Sequence, residues 1–466
     1  MKFSPTEGVA VIGAGYAGMA AAMDLVDAGV PVTVFEAGPV PGGRARRIPG
    51  GDGQDDNGQH LLLGAYTELL GLLQRLQIPV QDVLYRRGLM LHIAGGLRLN
   101  ALPLPSPWHL AGGILLARGA SWGERIDTLH ALQRLQDTGF RAEAGETVAA
   151  LLDRLGLEGA LRTHLWESIC LAALNTPPTR ACAQVFLNIL HDIATGPRSH
   201  SDLLMPRTDL SSLFPEPAAA YVRARGGQVL LQTPVLRVED AGPLVRVVTG
   251  HQHRLFQRAI LAVQPRALAR MIGDWPEMQP LLTQLAALPH ERIATLTLEY
   301  DRPVRLPHPM MGLANSCVEW MFDRRWLLGG GLRAPGRIAC VLSAPSAGAV
   351  LDREMLISQA HADLERLVGR LPYPVSGRLV VEKFATFSCQ PRLSRPDGIT
   401  HDPRILLAGD YLVSRYPATL ESAVRSGRRA AAAAVQWSGR GMPSRFVRAT
   451  PASAAVPASP TLLPPG

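Results

Sequence analysis

A glycine-rich turn near the amino terminus lies between a predicted strand and a predicted helix. The run Val9-Ala10-Val11-Ile12 is short and apolar, which is typical of a buried strand. Small apolar residues from Tyr16 to Ala28 predict a helix, and Val32-Thr33-Val34-Phe35 predicts a second strand. The turn, Gly13-Ala14-Gly15-Tyr16-Ala17-Gly18, joins the first strand to the helix. These segments predict a βαβ unit, and therefore an α/β fold with parallel strands.

The spacing of the glycines in this turn is that of a dinucleotide site. Gly13 permits the tight turn, Gly15 lets the backbone approach a pyrophosphate, and Gly18 lets the helix pack closely on the strands. The helix amino terminus offers free N–H groups and positive dipole potential to phosphates. Glu36 ends the second strand, where a carboxylate can accept hydrogen bonds from both ribose hydroxyls. The pattern predicts a Rossmann-type dinucleotide-binding domain.

Three later segments indicate which of the two common dinucleotide cofactors, NAD or FAD, the domain binds. They are Gly42-Gly43-Arg44, Ala262-Val263-Gln264-Pro265 after a predicted strand, and Leu407-Ala408-Gly409-Asp410 before a predicted helix from about Thr419 to Gln436. Together with the amino-terminal turn, they resemble the flavin amine-oxidase and carotenoid-desaturase superfamily. The resemblance implies FAD as the cofactor, with Asp410 on the ribityl chain and the helix start at Thr419 and Leu420 facing the flavin ring. It also implies cofactor contacts from Ala37, Gly43, Arg44, Gly58, Gln59, His60, Val235 and Gly409.

Composition excludes several other classes of protein. The 466 residues are 47% hydrophobic and 18% charged, which predicts a sizeable core rather than a disordered chain. The net charge of +8 favours an anionic membrane face or a phosphate-bearing ligand. Aromatic residues are sparse at 5% and no dense basic block occurs, so we do not expect nucleic-acid binding. Five scattered cysteines without a CxxC pair predict neither a disulfide framework nor a metal site, and a cytoplasmic location fits them best.

The predicted elements alternate between two kinds of segment along the chain. Single strands are predicted from Gln228 to Val238, from Leu244 to Thr249 and from Ala259 to Val263, whereas residues 64–220 have a mainly helical pattern. This layout predicts an FAD-binding domain assembled from separated segments, with an inserted α+β substrate domain. The boundaries we expect are 1–63, 221–289 and 396–438 for the FAD-binding domain, 64–220 and 290–395 for the substrate domain, and 439–466 for a disordered tail.

Several longer stretches are similar to one subfamily, the hydroxysqualene dehydroxylases of bacterial hopanoid biosynthesis. The resemblance spans about residues 8–436, and one departure is Tyr411 after Asp410, where a tryptophan is expected. The matching stretches are Asp56-Asn57-Gly58-Gln59-His60-Leu61-Leu62-Leu63-Gly64-Ala65-Tyr66, Cys170-Leu171-Ala172-Ala173-Leu174-Asn175-Thr176-Pro177-Pro178, Val185-Phe186-Leu187-Asn188, Ser201-Asp202-Leu203-Leu204-Met205-Pro206-Arg207, Gln390-Pro391-Arg392-Leu393 and Pro417-Ala418-Thr419-Leu420-Glu421 to Gly427.

The resemblance implies reductive removal of the hydroxyl group of hydroxysqualene, a long-chain isoprenoid, to give squalene. Protonation and loss of the allylic hydroxyl leave a delocalised cation, to which reduced flavin delivers a hydride. We interpret His60 as the proton donor and Gln59 as its neighbour that orients the leaving water, because a histidine can act as an acid near neutral pH. A structural role for His60 stays open. Tyr411 and Tyr416 are either walls of the pocket near the flavin or packing residues, and Asn175 and Asn188 either contact the substrate or make interhelical hydrogen bonds. Asp56 is interpreted as a structural turn residue.

A proline-rich segment suggests where such a chain could meet a membrane. Residues 102–109 include Trp108 and lead into the apolar run Leu110 to Ala117. The segment is either a membrane-dipping edge at the inner face of the cytoplasmic membrane or an ordinary loop onto a buried helix. The resemblance further implies functional coupling to the upstream squalene-pathway synthases.

Two alternatives to the dehydroxylase interpretation remain at the level of sequence. One is another flavin enzyme on the same scaffold, either a carotenoid-type isoprenoid desaturase or an amine oxidase. The other is a non-catalytic isoprenoid carrier, against which both intact flavin motifs argue.

Overall fold

The computed structural model describes residues 7–48, 55–331, 333–345 and 351–438. The tail predicted to be disordered, 439–466, lies outside these residues.

The first sheet combines strands from the beginning, middle and end of the chain. Six of its seven strands lie in the order Gln228–Leu230, Val32–Phe35, Glu7–Ile12, His253–Leu261, Leu244–Thr249 and Val235–Ala241. The seventh, Ile405–Leu407, pairs with His253–Leu261. Glu7–Ile12, Val32–Phe35 and Ile405–Leu407 pair in parallel with their neighbouring strands in this sheet. The carboxyl ends of these strands therefore lie at one edge of the sheet, where open α/β sheets bind their ligands.

Residues 9–12 of the first strand are apolar, and both faces of this part of the strand are covered. Val9 and Val11 pack in a core that includes the first helix, whereas Ala10 and Ile12 pack on the opposite face with Phe35. All are almost completely buried. A continuous apolar run is the expected signature of such a strand.

The second sheet has seven strands and stands over the carboxyl-end edge of the first. Five come from residues 290–387 and two from residues 90–100. Their order is Ser376–Phe387, His290–Glu299, Arg337–Ser343, Trp320–Asp323, Met310–Leu313, Met90–Ala94 and Arg98–Asn100. A small third sheet contains Leu62–Leu63, Leu203–Pro206 and Leu84–Arg87.

The remaining described elements are helices. The first helix packs against the last, and a Cβ on Gly427 of the last helix would overlap the carbonyl oxygen of Ala17. The helices are Tyr16–Asp27, Thr67–Arg75, Val80–Val83, Trp108–Leu115, Trp122–Asp137, Val148–Arg154, Gly159–Leu161, the π-helix Arg162–Glu167, Ser168–Leu174, Ala183–Thr195, the 3₁₀ turns Arg198–Ser201 and Pro276–Met278, Leu210–Leu213, Pro215–Ala224, Pro265–Ile272, Gln279–Ala286, Arg324–Leu327, Arg353–Val368 and Leu420–Ser438.

Two sequence predictions of secondary structure need correction. The single strand predicted from Gln228 to Val238 is two strands, because Gln232 adopts a positive φ of 52° and the chain turns there. Residues 64–220, predicted to be mainly helical, also contribute four short strands to the second and third sheets. Strands of three to five residues are too short for their own sequence to carry much periodic signal.

Across the parts of the chain that the structure describes, no helix combines the length and apolarity that crossing a bilayer requires. All five cysteines are free.

Candidate functional site

The predicted nucleotide-binding residues meet at the carboxyl-end edge of the first sheet. Gly13 follows the first strand and donates its N–H to Phe35 O at 2.8 Å. Ala262 donates to Ile12 O at 2.8 Å, and Ala408 donates to Leu261 O at 3.1 Å. These bonds hold the ends of four strands in register, so the three sequence motifs form one edge.

The glycine turn leaves an open cradle between two stretches of backbone. Gly13 has a φ of +104°, and a Cβ there would overlap the carbonyl oxygen of Ala262. A Cβ on Gly15 would instead project toward the Gly42-Gly43 loop, whose nearest atom would lie 3.8 Å away. No side chain caps the helix that begins at Tyr16. The turn therefore presents helix N–H groups to a gap that a side chain would fill.

Glu36 holds the turn from the end of the second strand. Its two carboxylate oxygens accept the N–H groups of Ala14 and Gly38, each at 2.8 Å. Each oxygen keeps a further lone pair, so contact with a ribose hydroxyl remains compatible with this geometry. Exposed Ala37 follows Glu36 directly. Thr233 donates to Glu36 O, which brings the buried start of the strand at Val235 close to this corner.

Arg44 and Asp410 connect the amino-terminal and carboxyl-terminal motifs. The Arg44 guanidinium donates to Asp410 Oδ1 at 2.5 Å, across 366 residues of sequence, and to Ala385 O at 2.5 Å. Asn57 Nδ2 donates to Arg44 O and to the Glu382 carboxylate at 2.9 Å. Charge-assisted bonds of this kind fix both partners. The sequence singled out both residues but did not reveal that they pair.

The carboxyl-terminal helix begins beside Asp410. Thr419 caps this helix, since its hydroxyl accepts the N–H of Ser422 at 3.1 Å and Leu420 is the first helical residue. Gly409 donates its N–H to the Ser426 hydroxyl at 2.8 Å. The Thr419 hydroxyl, which is predicted to contact a cofactor, is therefore already engaged in capping the helix.

A crevice opens at the junction of these motifs and the second sheet. Five lining residues are predicted from the sequence, namely Arg44, Gln264, Pro265, Asp410 and Tyr411. Four others are not, namely Arg266, His290, Phe384 and Phe387. Arg266 directly follows the predicted Gln264-Pro265 and lies 4.0 Å from the Phe384 ring centre, so the motif could have been extended to it. His290, Phe384 and Phe387 lie on strands of the second sheet, which reach the site through tertiary packing and carry no local signal for it.

His60 lies in a loop that runs beneath the second sheet. Its Nδ1 is 2.9 Å from Gly58 O, and Gln59 donates from its side chain to His60 O and from its backbone to Thr295 Oγ1. Burial lowers the pKa of His60, the Gly58 carbonyl opposes that shift, and Arg44 and Arg324 lower it further. Neutral His60 therefore donates from Nδ1 to Gly58 and leaves Nε2 as an acceptor.

Three residues considered as alternatives have structural contacts. Asp56 accepts the N–H of Leu210 at 2.8 Å, and burial raises the pKa of its carboxyl to about 7. Asn175 uses its amide to bridge Thr386 and Ala344, and Asn188 donates to Arg415 O at 2.7 Å. These contacts favour the structural interpretation for all three.

The residues present fit a flavin nucleotide. The Gly15 cradle has the space and free N–H groups for phosphates, Glu36 has lone pairs for a ribose, and the buried Tyr411 hydroxyl has no hydrogen-bond partner among the described residues. A buried polar atom without a partner commonly indicates a missing ligand or water.

Relatives of known name match nearly the whole chain. Hydroxysqualene dehydroxylases of Rhodopseudomonas palustris and Sinorhizobium fredii are 27% and 26% identical, and each match covers 91% of this chain and 97% of the relative. A 15-cis-phytoene desaturase of Synechococcus elongatus is 24% identical over 92% of this chain and 95% of its own. The resemblance drawn from the motifs is confirmed.

The fold and the family agree with the sequence prediction. The structure of cyclohexylamine oxidase from Brevibacterium oxydans superposes with a TM-score of 0.66 at 19% identity, over 94% of this chain and 100% of the oxidase. The family model of flavin-containing amine oxidoreductases matches residues 16–435. FAD as cofactor, the Rossmann-type FAD-binding fold and an oxidoreductase activity are thereby confirmed. This chain belongs to the flavin-containing amine oxidoreductase family.

Proposed function

We propose that this chain is a hydroxysqualene dehydroxylase, which reductively removes the allylic hydroxyl of hydroxysqualene to give squalene. The observation that carries the proposal is the match to hydroxysqualene dehydroxylases over 91% of this chain, and the Gly58-Gln59-His60 stretch resembles the same subfamily. A carrier would not need the flavin motifs that converge at this edge.

The residues that would hold FAD are those of the edge already described. We assign the phosphates to the turn from Gly13 to Gly18 and to Gly43, and the adenosine ribose to Glu36 with Ala37 and Val235 beside it. Gly58, Gly409, Asp410, Thr419 and Leu420 would contact the flavin half. When bound and reduced, FAD supplies the hydride for the reaction.

The chain's own residues would manage the proton and exclude water. We assign proton donation to His60 once its Nε2 is protonated, with Gln59 fixed beside it to orient the leaving water. Leu61 and Leu63 follow His60 closely in the sequence. They pack in an apolar cluster with Ile293 and Trp320 of the second sheet. Such surroundings suit an isoprenoid and would shield an allylic cation from water.

Anaerobic reoxidation of the flavin by substrate tests the proposal directly. We expect the reduced protein, mixed with hydroxysqualene in detergent, to regain its oxidised flavin absorption and to form one squalene per flavin. Each turnover transfers one hydride and one proton and releases water. Oxidised protein with the same substrate is the control. Absence of squalene in several detergents, with the flavin still reduced, would contradict the proposal.

An isoprenoid desaturase is the second candidate function. The match to a 15-cis-phytoene desaturase over nearly the whole chain favours it. A desaturase removes hydride, so a polyene precursor would bleach the oxidised flavin anaerobically. Bleaching by such a polyene, together with no reoxidation by hydroxysqualene, would replace the first proposal with this one.

We also propose that the protein meets the inner face of the cytoplasmic membrane through an apolar helix-pair patch. The patch consists of Leu104, Trp108, Leu116 and Trp122, and both tryptophans are more than 60% exposed. Trp108 and Trp122 begin two successive helices, Trp108–Leu115 and Trp122–Asp137. Arg125 of the second helix donates to Leu115 O of the first at 3.0 Å and to Ala120 O of the connecting segment at 2.8 Å, which holds the two helices together. Exposed Arg118 lies between them. Tryptophans beside arginines suit an anionic interface, where an isoprenoid substrate would be dissolved.

Replacing both tryptophans of the patch by serine should weaken binding to anionic vesicles. Partial burial of each indole contributes about 1–2 kcal/mol, so we expect at least a roughly tenfold loss in vesicle co-sedimentation. Met355→Ser is the matched control, since Met355 is 60% exposed on another helix. Equal binding by the native, double-variant and control proteins would place the membrane contact elsewhere.

A further inference from the structure

Tyr411 carries a buried hydroxyl that nothing in the described chain satisfies. The residue is 4% exposed and lines the crevice beside Arg44 and Asp410. Its hydroxyl oxygen has no hydrogen-bond partner among the described residues. A hydroxyl buried without a partner is destabilising, so it commonly indicates a ligand or an ordered water that satisfies it in the native protein.

The ring of Tyr411 packs against Gly409. A Cβ on Gly409 would overlap the ring, so the glycine provides the space in which the ring lies. Burial raises the pKa of Tyr411, and the neighbouring Asp410 carboxylate raises it further. The group is therefore a neutral phenol that can donate one hydrogen bond, and its side chain lines the crevice.

We propose that the Tyr411 hydroxyl donates a hydrogen bond to the flavin nucleotide that the neighbouring flavin motifs would hold. Four other lining residues belong to the flavin motifs, namely Arg44, Gln264, Pro265 and Asp410. The matching acceptors are oxygen and ring nitrogen atoms, which a flavin nucleotide carries in quantity. The inference depends on flavin binding and not on the identity of the substrate, so failure of the hydroxysqualene experiment would leave it intact.

Tyr411→Phe tests the inference in the full-length protein with and without FAD. One neutral hydrogen bond corresponds to about a threefold to tenfold change in affinity, so we expect FAD to be released that much more readily on dilution. The flavin absorption bands should also shift, because a polar contact of the cofactor is lost. Without FAD, the variant should melt at the same temperature as the native protein or higher, since it no longer buries an unsatisfied hydroxyl.

Tyr300→Phe is the matched control. Tyr300 is buried to a similar degree and directly follows the strand His290–Glu299. Its hydroxyl is hydrogen-bonded with Nδ1 of His361, in the helix Arg353–Val368, at 3.1 Å. This variant should melt at a lower temperature and release FAD as the native protein does. Tyr411→Trp keeps an N–H donor and should retain more of the FAD affinity than Tyr411→Phe. Native FAD release and native absorption in Tyr411→Phe would overturn the inference, as would a lower melting temperature of that variant without FAD.

Discussion

The Gly18→Ala protein is expected to purify without its yellow cofactor. The added methyl would overlap the carbonyl oxygen of Gly13 and lie 3.1 Å from Ala262 Cβ. The helix cannot relax away from the strands, because Gly427 of the last helix already touches Ala17 on its other side. Overpacking of this kind costs about 1–3 kcal/mol of stability. Loss of two charge-assisted bonds from the turn to the phosphates would lower FAD affinity by at least about 100-fold.

Gly71→Ala is the control with the same chemical change. Gly71 is an exposed residue of the helix Thr67–Arg75, and nothing lies within 4 Å of an added Cβ. Alanine should therefore stabilise the protein by about 0.5–1 kcal/mol and leave FAD bound. Urea unfolding and the ratio of flavin to protein absorbance measure both effects. A yellow Gly18→Ala protein of native affinity would show that phosphates do not bind at this turn.

The sequence was most informative where structure depends on neighbours in the chain. The strand over Val9–Ile12, the glycine turn and the helix from Tyr16 follow from apolar runs and from backbone space, which local residues determine. The same holds for the predicted strand and glycine at Gly409, because a buried parallel strand is apolar throughout. These segments carry the cofactor motifs, so FAD as the cofactor could be predicted from them.

Properties that depend on distant residues could not be read in this way. The sequence predicts a cofactor contact for Arg44, whereas its bond to Asp410 depends on two loops meeting across the sheet edge. The orphaned hydroxyl of Tyr411 and the lowered pKa of His60 both arise from burial by the second sheet. Burial by remote elements has no local sequence signal, which is why the identity of the proton donor is the least predictable part of the site.

The protonation state of His60 leads to a prediction about pH. The folded-state pKa of His60 lies below its ordinary value of about 6.5, because burial and the cations Arg44 and Arg324 disfavour the charged ring. At pH 7 and above the ring is therefore mostly neutral and has no proton to give from Nε2. If His60 is the donor, kcat/KM for hydroxysqualene should rise about tenfold for each unit that the pH falls from 8 toward 6.5.

His60→Gln should remove this slope and lower turnover by roughly 10²–10⁴-fold, the usual contribution of a general acid, while FAD stays bound. Asp56 is the necessary control, because its carboxyl has a pKa of about 7 and titrates over the same range. Asp56→Asn should keep the slope, and circular dichroism at each pH would show that the proteins remain folded. A slope that survives in His60→Gln would remove His60 from the mechanism. A slope that disappears only in Asp56→Asn would transfer the role of proton donor to the carboxyl of Asp56, which the structure otherwise ties to Leu210.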